Sequence, residues 1–411
     1  MTDSDITPVL RPVAAAERHL SLDVLRGLGV MGILAVNAVG FAQPMSVYIS
    51  PELSPFPLVG VEATAWWVVQ TFFHYKFITL FSMLFGVSIL LVGGERSDKP
   101  RGALLRRRLS WLLVIGLIHG LVIWFGDVLL LYACTGFIVM LARSWPPKRL
   151  FAVSISVILL GSVLAVAPLI VLEGAPPDVQ KTVIAQMGQP GGDVPVAVSI
   201  KAMQAGLVPA MIENAKQWVV LQPASLIVII WRTGALMLLG MALFKTGFLT
   251  GKARTWVYGL LIAVGAAGLV WCGWENTAKL ATNFAKPQAM GRYNLAYEFM
   301  TLPITLGYAS LAILLIRSAA MRALLNPLAR LGQMAFTNYL TQSIIMTTLF
   351  WSGRGLGLFG QLDRVQLWGC VIAIWALQLI WSPLWLSRFS MGPLEWIWRR
   401  LSYGKGLARA G

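Results

Sequence analysis

The sequence predicts an all-α, polytopic integral membrane helix bundle of about ten transmembrane helices with both termini cytoplasmic. Three observations carry that prediction. The 411 residues are 57% hydrophobic and 12% charged, where soluble domains carry about a quarter charged residues. Mean hydropathy is +0.72, and the apolar residues gather into stretches close to the roughly 20 residues that cross a hydrocarbon layer. Lys and Arg are unevenly shared between the connecting segments. The same composition excludes a disordered, collagen-like or disulfide-stapled chain.

Ten stretches read as spans: 21–42, 76–94, 109–126, 127–143, 149–173, 217–244, 254–273, 295–317, 328–351 and 366–388. The aromatic segment 63–75 is too short to cross and reads as an interfacial helix leading into the second span. Spans three and four join at a tight turn around Gly126 and Asp127. With the N-terminus inside, inner segments hold 22 Lys and Arg against 8 in outer segments. That bias orients the bundle. The chain divides into a cytoplasmic tail (1–20), one transmembrane domain (21–390) with an outer loop at 174–216, and a cytoplasmic tail (391–411). The first segment lacks the pattern of a cleaved signal peptide, so the first span serves as insertion signal. The outer loop, rich in Pro and Gly, is expected to hold short helices near 178–187 and 197–214 with a flexible tip between them.

The net charge of +16 does not read as a nucleic-acid surface, because the basic residues lie in small clusters between apolar runs. Arg106-Arg107-Arg108 reads as a stop signal, with headgroup or ligand-phosphate binding as the lesser alternative. Cys134, Cys272 and Cys370 show no CxxC spacing and read as small apolar side chains. Gly355-x-Gly357-x-x-Gly360 matches a dinucleotide fingerprint by letters alone, since no strand precedes it. No metal site is expected.

Ionisable groups inside spans are costly and are either paired or functional. Asp23 and Arg26 are i, i+3 neighbours at the start of span one, which ends in Asn37 on nearly the same face as Arg26. Gly27, Gly29 and Gly32 let a helix or a ligand approach that span closely. His119 lies in span three with Asp127 just beyond, and His74 and Lys76 open span two on the outer side. A neutral imidazole oriented by a carboxylate is a minimal general base; which His, if either, meets Asp127 stays open. Arg232 in span six has three readings: a partner such as Glu298, snorkelling, or a guanidinium aimed at a phosphate or carboxylate. Asn338, Tyr339, Gln342 and Ser343 form a polar stripe that favours interhelical hydrogen bonding over a substrate site.

Several segments together resemble the YeiB family of bacterial inner-membrane proteins, also called domain of unknown function 418. They are Leu22-Asp23-Val24-Leu25-Arg26-Gly27 through Asn37, Lys76 through Gly86, His119 through Ala133, Gly332 through Tyr339, and Gly392 through Trp396. The resemblance runs from residue 18 to about residue 405 and implies an inner-membrane location. It also implies kinship with transmembrane acyltransferases, such as the lysosomal heparan glucosaminide acetyltransferase and bacterial O-acyltransferases. Those enzymes pass an acyl group from cytoplasmic acyl-CoA through the bundle to a sugar on the far side. In the O-acyltransferase pattern an Arg precedes a His by eleven positions. Arg26 matches, but Asn37 stands in place of the base, and an amide cannot serve as one. The heparan pattern makes His74 the analogue.

The function this implies is acyl transfer from an acetyl-CoA-like co-substrate. His74 or His119 would act as base, Asp127 would orient it, and Asn37 or Asn338 would polarise the acyl carbonyl. Arg26, Lys76 and Arg232 would hold the anionic donor. The implied partners are membrane lipids and a small acceptor, a sugar or glycolipid, with no nucleic acid and with a homodimer left open. A transporter or permease is the alternative; against it, no paired Gly/Pro-broken spans mark corresponding halves.

Overall fold

In the computed structural model, which describes residues 19–186, 195–285 and 287–403, every regular element is a helix. In chain order they are α1 (Leu20–Ala42), α2 (Met45–Ile49), α3 (Gly60–Val68), α4 (Lys76–Gly93), α5 (Lys99–Ile118) and α6 (Leu129–Val139). Then come α7 (Pro147–Glu173), α8 (Pro177–Gln186), α9 (Val196–Gln204), α10 (Leu207–Ala224), α11 (Ile230–Lys245) and α12 (Thr255–Ala281). The chain closes with α13 (Leu295–Leu315), α14 (Ala319–Leu324), α15 (Asn326–Gln333), α16 (Ala335–Phe350), α17 (Arg364–Leu386) and α18 (Pro393–Tyr403). The protein is an all-α membrane bundle.

Each of the ten predicted stretches coincides with one of these helices or a run of them. Among the described residues, seven are long and apolar enough to cross a bilayer: Leu20–Ala42, Gly60–Gly93, Pro147–Glu173, Leu207–Lys245, Thr255–Ala281, Arg292–Leu315 and Arg364–Leu386. The other three correspond to α5, α6 and α16. Leu129–Ala142 is 14 residues, about 21 Å at 1.5 Å per residue, shorter than a hydrocarbon core of about 30 Å. The α5–α6 hairpin turns at Asp127, which is buried.

Burial is inverted relative to a soluble protein. Leu160, Leu164 and Val171 of α7, Val270 of α12, and Ile380 and Leu384 of α17 face outward, while Asn338, Gln342, Gln378 and Thr305 are buried. Lipid solvates the apolar surface, so polar residues and close backbone packing hold the interior together. α1 is the central helix, in contact with α4, α15, α16 and α17. It crosses α15 where Gly27 meets the Leu328 backbone and Gly332 meets the Asp23 backbone. α4 crosses α11 in the same reciprocal way, with Gly86 against Met237 and Gly240 against Met83. A Cβ at any of these four positions would collide with main chain. The glycines of α1 thus admit neighbouring helices.

Three predicted loop features meet the structure differently. The segment around 63–75 forms α3 and a π-helical turn (Val69–Phe73), with Trp66 buried and Trp67 Nε1 donating to Gly273 O of α12 at 2.9 Å. The helices expected within 174–216 are α8, α9 and the start of α10, while the tip at 187–194 lies outside the described residues, as do 1–18 and 404–411. The C-terminal segment after residue 391 is no loose tail at its start. α18 docks on α5 and α16, with Trp398 Nε1 donating to Arg108 O at 3.0 Å.

Candidate functional site

A cavity of about 300 Å³ opens between α1, α4, α5, α6, α16 and α18. Asp23, Arg26 and Ser88 line it near the N-terminal end of α1, with Arg108 of α5 and Glu395, Trp398 and Arg399 of α18. Arg26 pairs with Asp23 at 3.0 Å and reaches Ser88 Oγ at 3.4 Å, and its side chain keeps 24% exposure. The local ion pair and a free guanidinium edge coexist. Arg108 sits over the Trp398 ring, 4.2 Å from its centroid. Glu395 caps α16, accepting from the amides of Phe336 and Thr337 and from the Thr337 hydroxyl. Burial pushes its carboxyl up from the usual range, opposed by those Thr337 and Phe336 donors. The deep end of the cavity is walled by Ile33, Leu129, Tyr132 and Tyr339.

Directly behind Tyr339 stands His119, ring centroids 5.5 Å apart. α5 ends at this residue and passes into a π-helical turn (His119–Ile123), after which Trp124 is extended and the chain turns. That turn returns Asp127 to the imidazole: Nδ1 lies 2.9 Å from Asp127 Oδ1. The carboxylate also accepts from the amides of Leu129 (3.1 Å) and Leu130 (2.9 Å), the first turn of α6. A carboxylate at a helix N-terminus is favoured by the orphan amides and the helix dipole. A carboxylate only accepts, so in the neutral imidazole this contact assigns the proton to Nδ1 and leaves the Nε2 lone pair toward α16. Nε2 lies 3.0 Å from Ser343 Oγ of α16. His119 and Ser343 are each 1% exposed and Asp127 6%.

The opposite face closes over this group. Asn214 of α10 donates to Gly120 O (2.9 Å) and Leu121 O (3.1 Å), and Arg354 donates to Val122 O (3.1 Å). α10 and the α16–α17 connection therefore pack as a cover on the hairpin tip.

The remaining sequence candidates go elsewhere. His74 follows the Val69–Phe73 turn, lies between Tyr75 and Tyr297, and borders a second, small cavity of about 40 Å³. Tyr48 lines that cavity too and donates to Asn37 Oδ1 at 3.2 Å. Arg232 pairs with Glu298 at 2.6 Å, one of the partners its sequence context offered. Lys76 is buried and donates to Gln70 O at 3.0 Å. Asn338 spends its amide on Leu331 O (3.0 Å), Ser382 Oγ (3.0 Å) and Trp381 Nε1 (3.1 Å). The scarce polar groups thus form separate centres. Only Arg26 lines the large cavity, with His119 and Asp127 immediately behind its inner wall.

The polar stripe of α16 divides by helical position. Asn338 and Gln342 turn to α17, where Gln342 Nε2 donates to Gln378 Oε1 at 2.8 Å. Tyr339 turns to the cavity, and Ser343, four residues on, turns to His119 behind it. Ser343 is the functional candidate that its sequence context pointed away from, since its partner lies 224 residues earlier.

A chain that carries this arrangement has close relatives. Residues 243–405 match the family described as protein of unknown function (DUF418). The chain is 31% identical to "Uncharacterized protein YeiB" of Escherichia coli (strain K12) over 405 residues, 94% of this chain and 96% of that protein. It belongs to the DUF418 family. Within it, "Uncharacterized protein YxaH" of Bacillus subtilis (strain 168) is 30% identical over 410 residues, covering 96% of each chain. No solved structure matches the chain.

Proposed function

We propose that this DUF418 protein is a membrane-embedded acyltransferase of the bacterial inner membrane. In this reading an acyl-CoA approaches from the cytoplasmic, basic face and its acyl end enters the 300 Å³ cavity. That volume lies at the lower end of the roughly 300–1,000 Å³ of small-ligand pockets. It accepts the acyl-pantetheine end of a donor and leaves the nucleotide outside, near Arg106, Arg107 and Arg108. Arg26 holds an anionic or carbonyl group of the donor. His119, held by Asp127, is the base, and the acceptor is a hydroxyl-bearing molecule such as a sugar or glycolipid reaching the opposite face.

The observation that carries the reading is the His119–Asp127 pair, buried behind the cavity's inner wall with Nε2 turned to the Ser343 hydroxyl. A general base in this position contributes about 10²–10⁴-fold. The test is thiol release from acetyl-CoA by the purified protein in lipid nanodiscs, compared with the His119→Ala variant. Turnover that falls by at least a hundredfold in the variant supports the reading. Proton-gradient-driven solute movement in proteoliposomes without any thioester turnover would instead identify a transporter.

A further inference from the structure

We propose that Ser343 is a nucleophile that carries the acyl group as an ester between donor and acceptor. This rests on the acyl-transfer reading and adds a covalent intermediate to it. Three features converge. Ser343 Oγ lies 3.0 Å from His119 Nε2, the nitrogen left to accept a proton once Asp127 holds Nδ1 at 2.9 Å. Tyr339 O, a second acceptor for that hydroxyl's proton, is farther, at 3.4 Å. Nucleophile, base and orienting carboxylate within hydrogen-bond reach is the geometry that activates a serine, whatever the fold.

The second feature is the Tyr339 hydroxyl. It is buried beside the Val128 backbone without a hydrogen bond of good geometry, on a side chain that lines the cavity and abuts His119. A buried, unspent O–H at the junction of cavity and serine is placed to receive negative charge on a carbonyl oxygen. The third feature is the order of spaces along α1. Arg26 and Ile33 line the large cavity, while Ala35, Ala38 and Val39 line the small one. Ser343 stands one helical turn beyond Tyr339 on the same face of α16, between the tyrosine that lines the large cavity and His119.

The step balances without any added reagent. Ser343 Oγ attacks the thioester carbonyl carbon while His119 Nε2 takes the hydroxyl proton. The Tyr339 hydroxyl donates to the oxyanion. The C–S bond then breaks, and Nε2 passes its proton to the departing sulfur, leaving a free thiol and a serine ester. In the second half an acceptor hydroxyl gives its proton to Nε2 and attacks the ester carbonyl. The bond to Oγ breaks and Oγ recovers the proton.

The experiment uses the intact protein in nanodiscs with radiolabelled acetyl-CoA and no acceptor. The proposal predicts a stoichiometric burst of free thiol and a hydroxylamine-sensitive acetyl ester that peptide mass spectrometry places on Ser343. Ser343→Ala removes burst and label, both scored per folded molecule because the change leaves the buried His119 Nε2 without this partner. Ser343→Cys replaces the ester by a thioester of higher hydroxylamine sensitivity. Acetyl-CoA turnover at the wild-type rate in Ser343→Ala, with no acyl-protein formed, overturns the covalent step and leaves acyl transfer standing. Absence of acetyl-CoA turnover in the wild type, with no labelling of Ser343 by a fluorophosphonate probe, overturns both.

Discussion

The His119 and His74 regions share a surprising amount of local design. Each histidine adjoins a π-helical turn, Val69–Phe73 before His74 and His119–Ile123 from His119 itself. Such turns are rare and frequent at functional sites. Each imidazole has a tyrosine beside it, Tyr297 at 5.6 Å and Tyr339 at 5.5 Å between ring centroids. The difference is in what completes the shell. His119 is fixed by a carboxylate on one nitrogen and a hydroxyl on the other. His74 is held between the rings of Tyr75 and Tyr297. An imidazole becomes a base when a carboxylate fixes its tautomer, and a packing group when rings fix its plane.

Substitutions can break that contrast. The largest expected effect is on thioester turnover: His119→Ala lowers it by about 10²–10⁴-fold, while His74→Ala stays within about threefold, read by thiol release in nanodiscs. Equal losses in the two variants would erase the distinction. Arg232→Ala, which strands Glu298 in a low-dielectric interior, costs about 3 kcal/mol or more in stability. The companion double variant Arg232→Met, Glu298→Leu recovers most of it, and turnover per folded molecule stays near wild type; thermal unfolding in detergent reads both. Arg26→Ala, which likewise strands the buried Asp23, also lowers stability, but what sets it apart is binding: the KM for acyl-CoA rises about tenfold, or 1.4 kcal/mol, with kcat per folded molecule changed far less. The smallest effect is at Asn338→Ala, about 1 kcal/mol of stability from lost interhelical hydrogen bonds and no change in KM.

Much of the scaffold was legible because lipid imposes a simple code: long apolar stretches, broken by Gly, Pro and basic clusters, had to become helices. Leu207–Lys245 and Gly60–Gly93 run longer than the predicted spans, since Gln, Asn and aromatic residues extend a helix once neighbours satisfy them. The α5–α6 turn was visible from Gly126-Asp127, but its sequence left open whether Asp127 meets His119 or His74; the π-helical turn after His119 is what brings the carboxylate back to that imidazole. Ser343 was not legible. Its pairing with His119 depends on how α16 is rotated, and Asn338, Tyr339, Gln342 and Ser343 look like one stripe until α17 claims the first and third. The docking of α18 was equally hidden, because Glu395 caps a helix 58 residues earlier. Shared cost was also a poor guide to shared location: Arg26, Lys76 and Arg232 are all expensive in lipid, yet each solves its burial locally.

The central claim is that the cavity between Arg26 and Tyr339 delivers an acyl donor to His119. Cryo-electron microscopy of the protein bound to a non-hydrolysable acetyl-CoA thioether tests it most directly. The account predicts ligand density that enters past Arg108, passes Arg26 and ends at Tyr339, with the acyl oxygen within hydrogen-bond reach of the Tyr339 hydroxyl. Density that ends beside His74, or an empty cavity at saturating analogue, would contradict it.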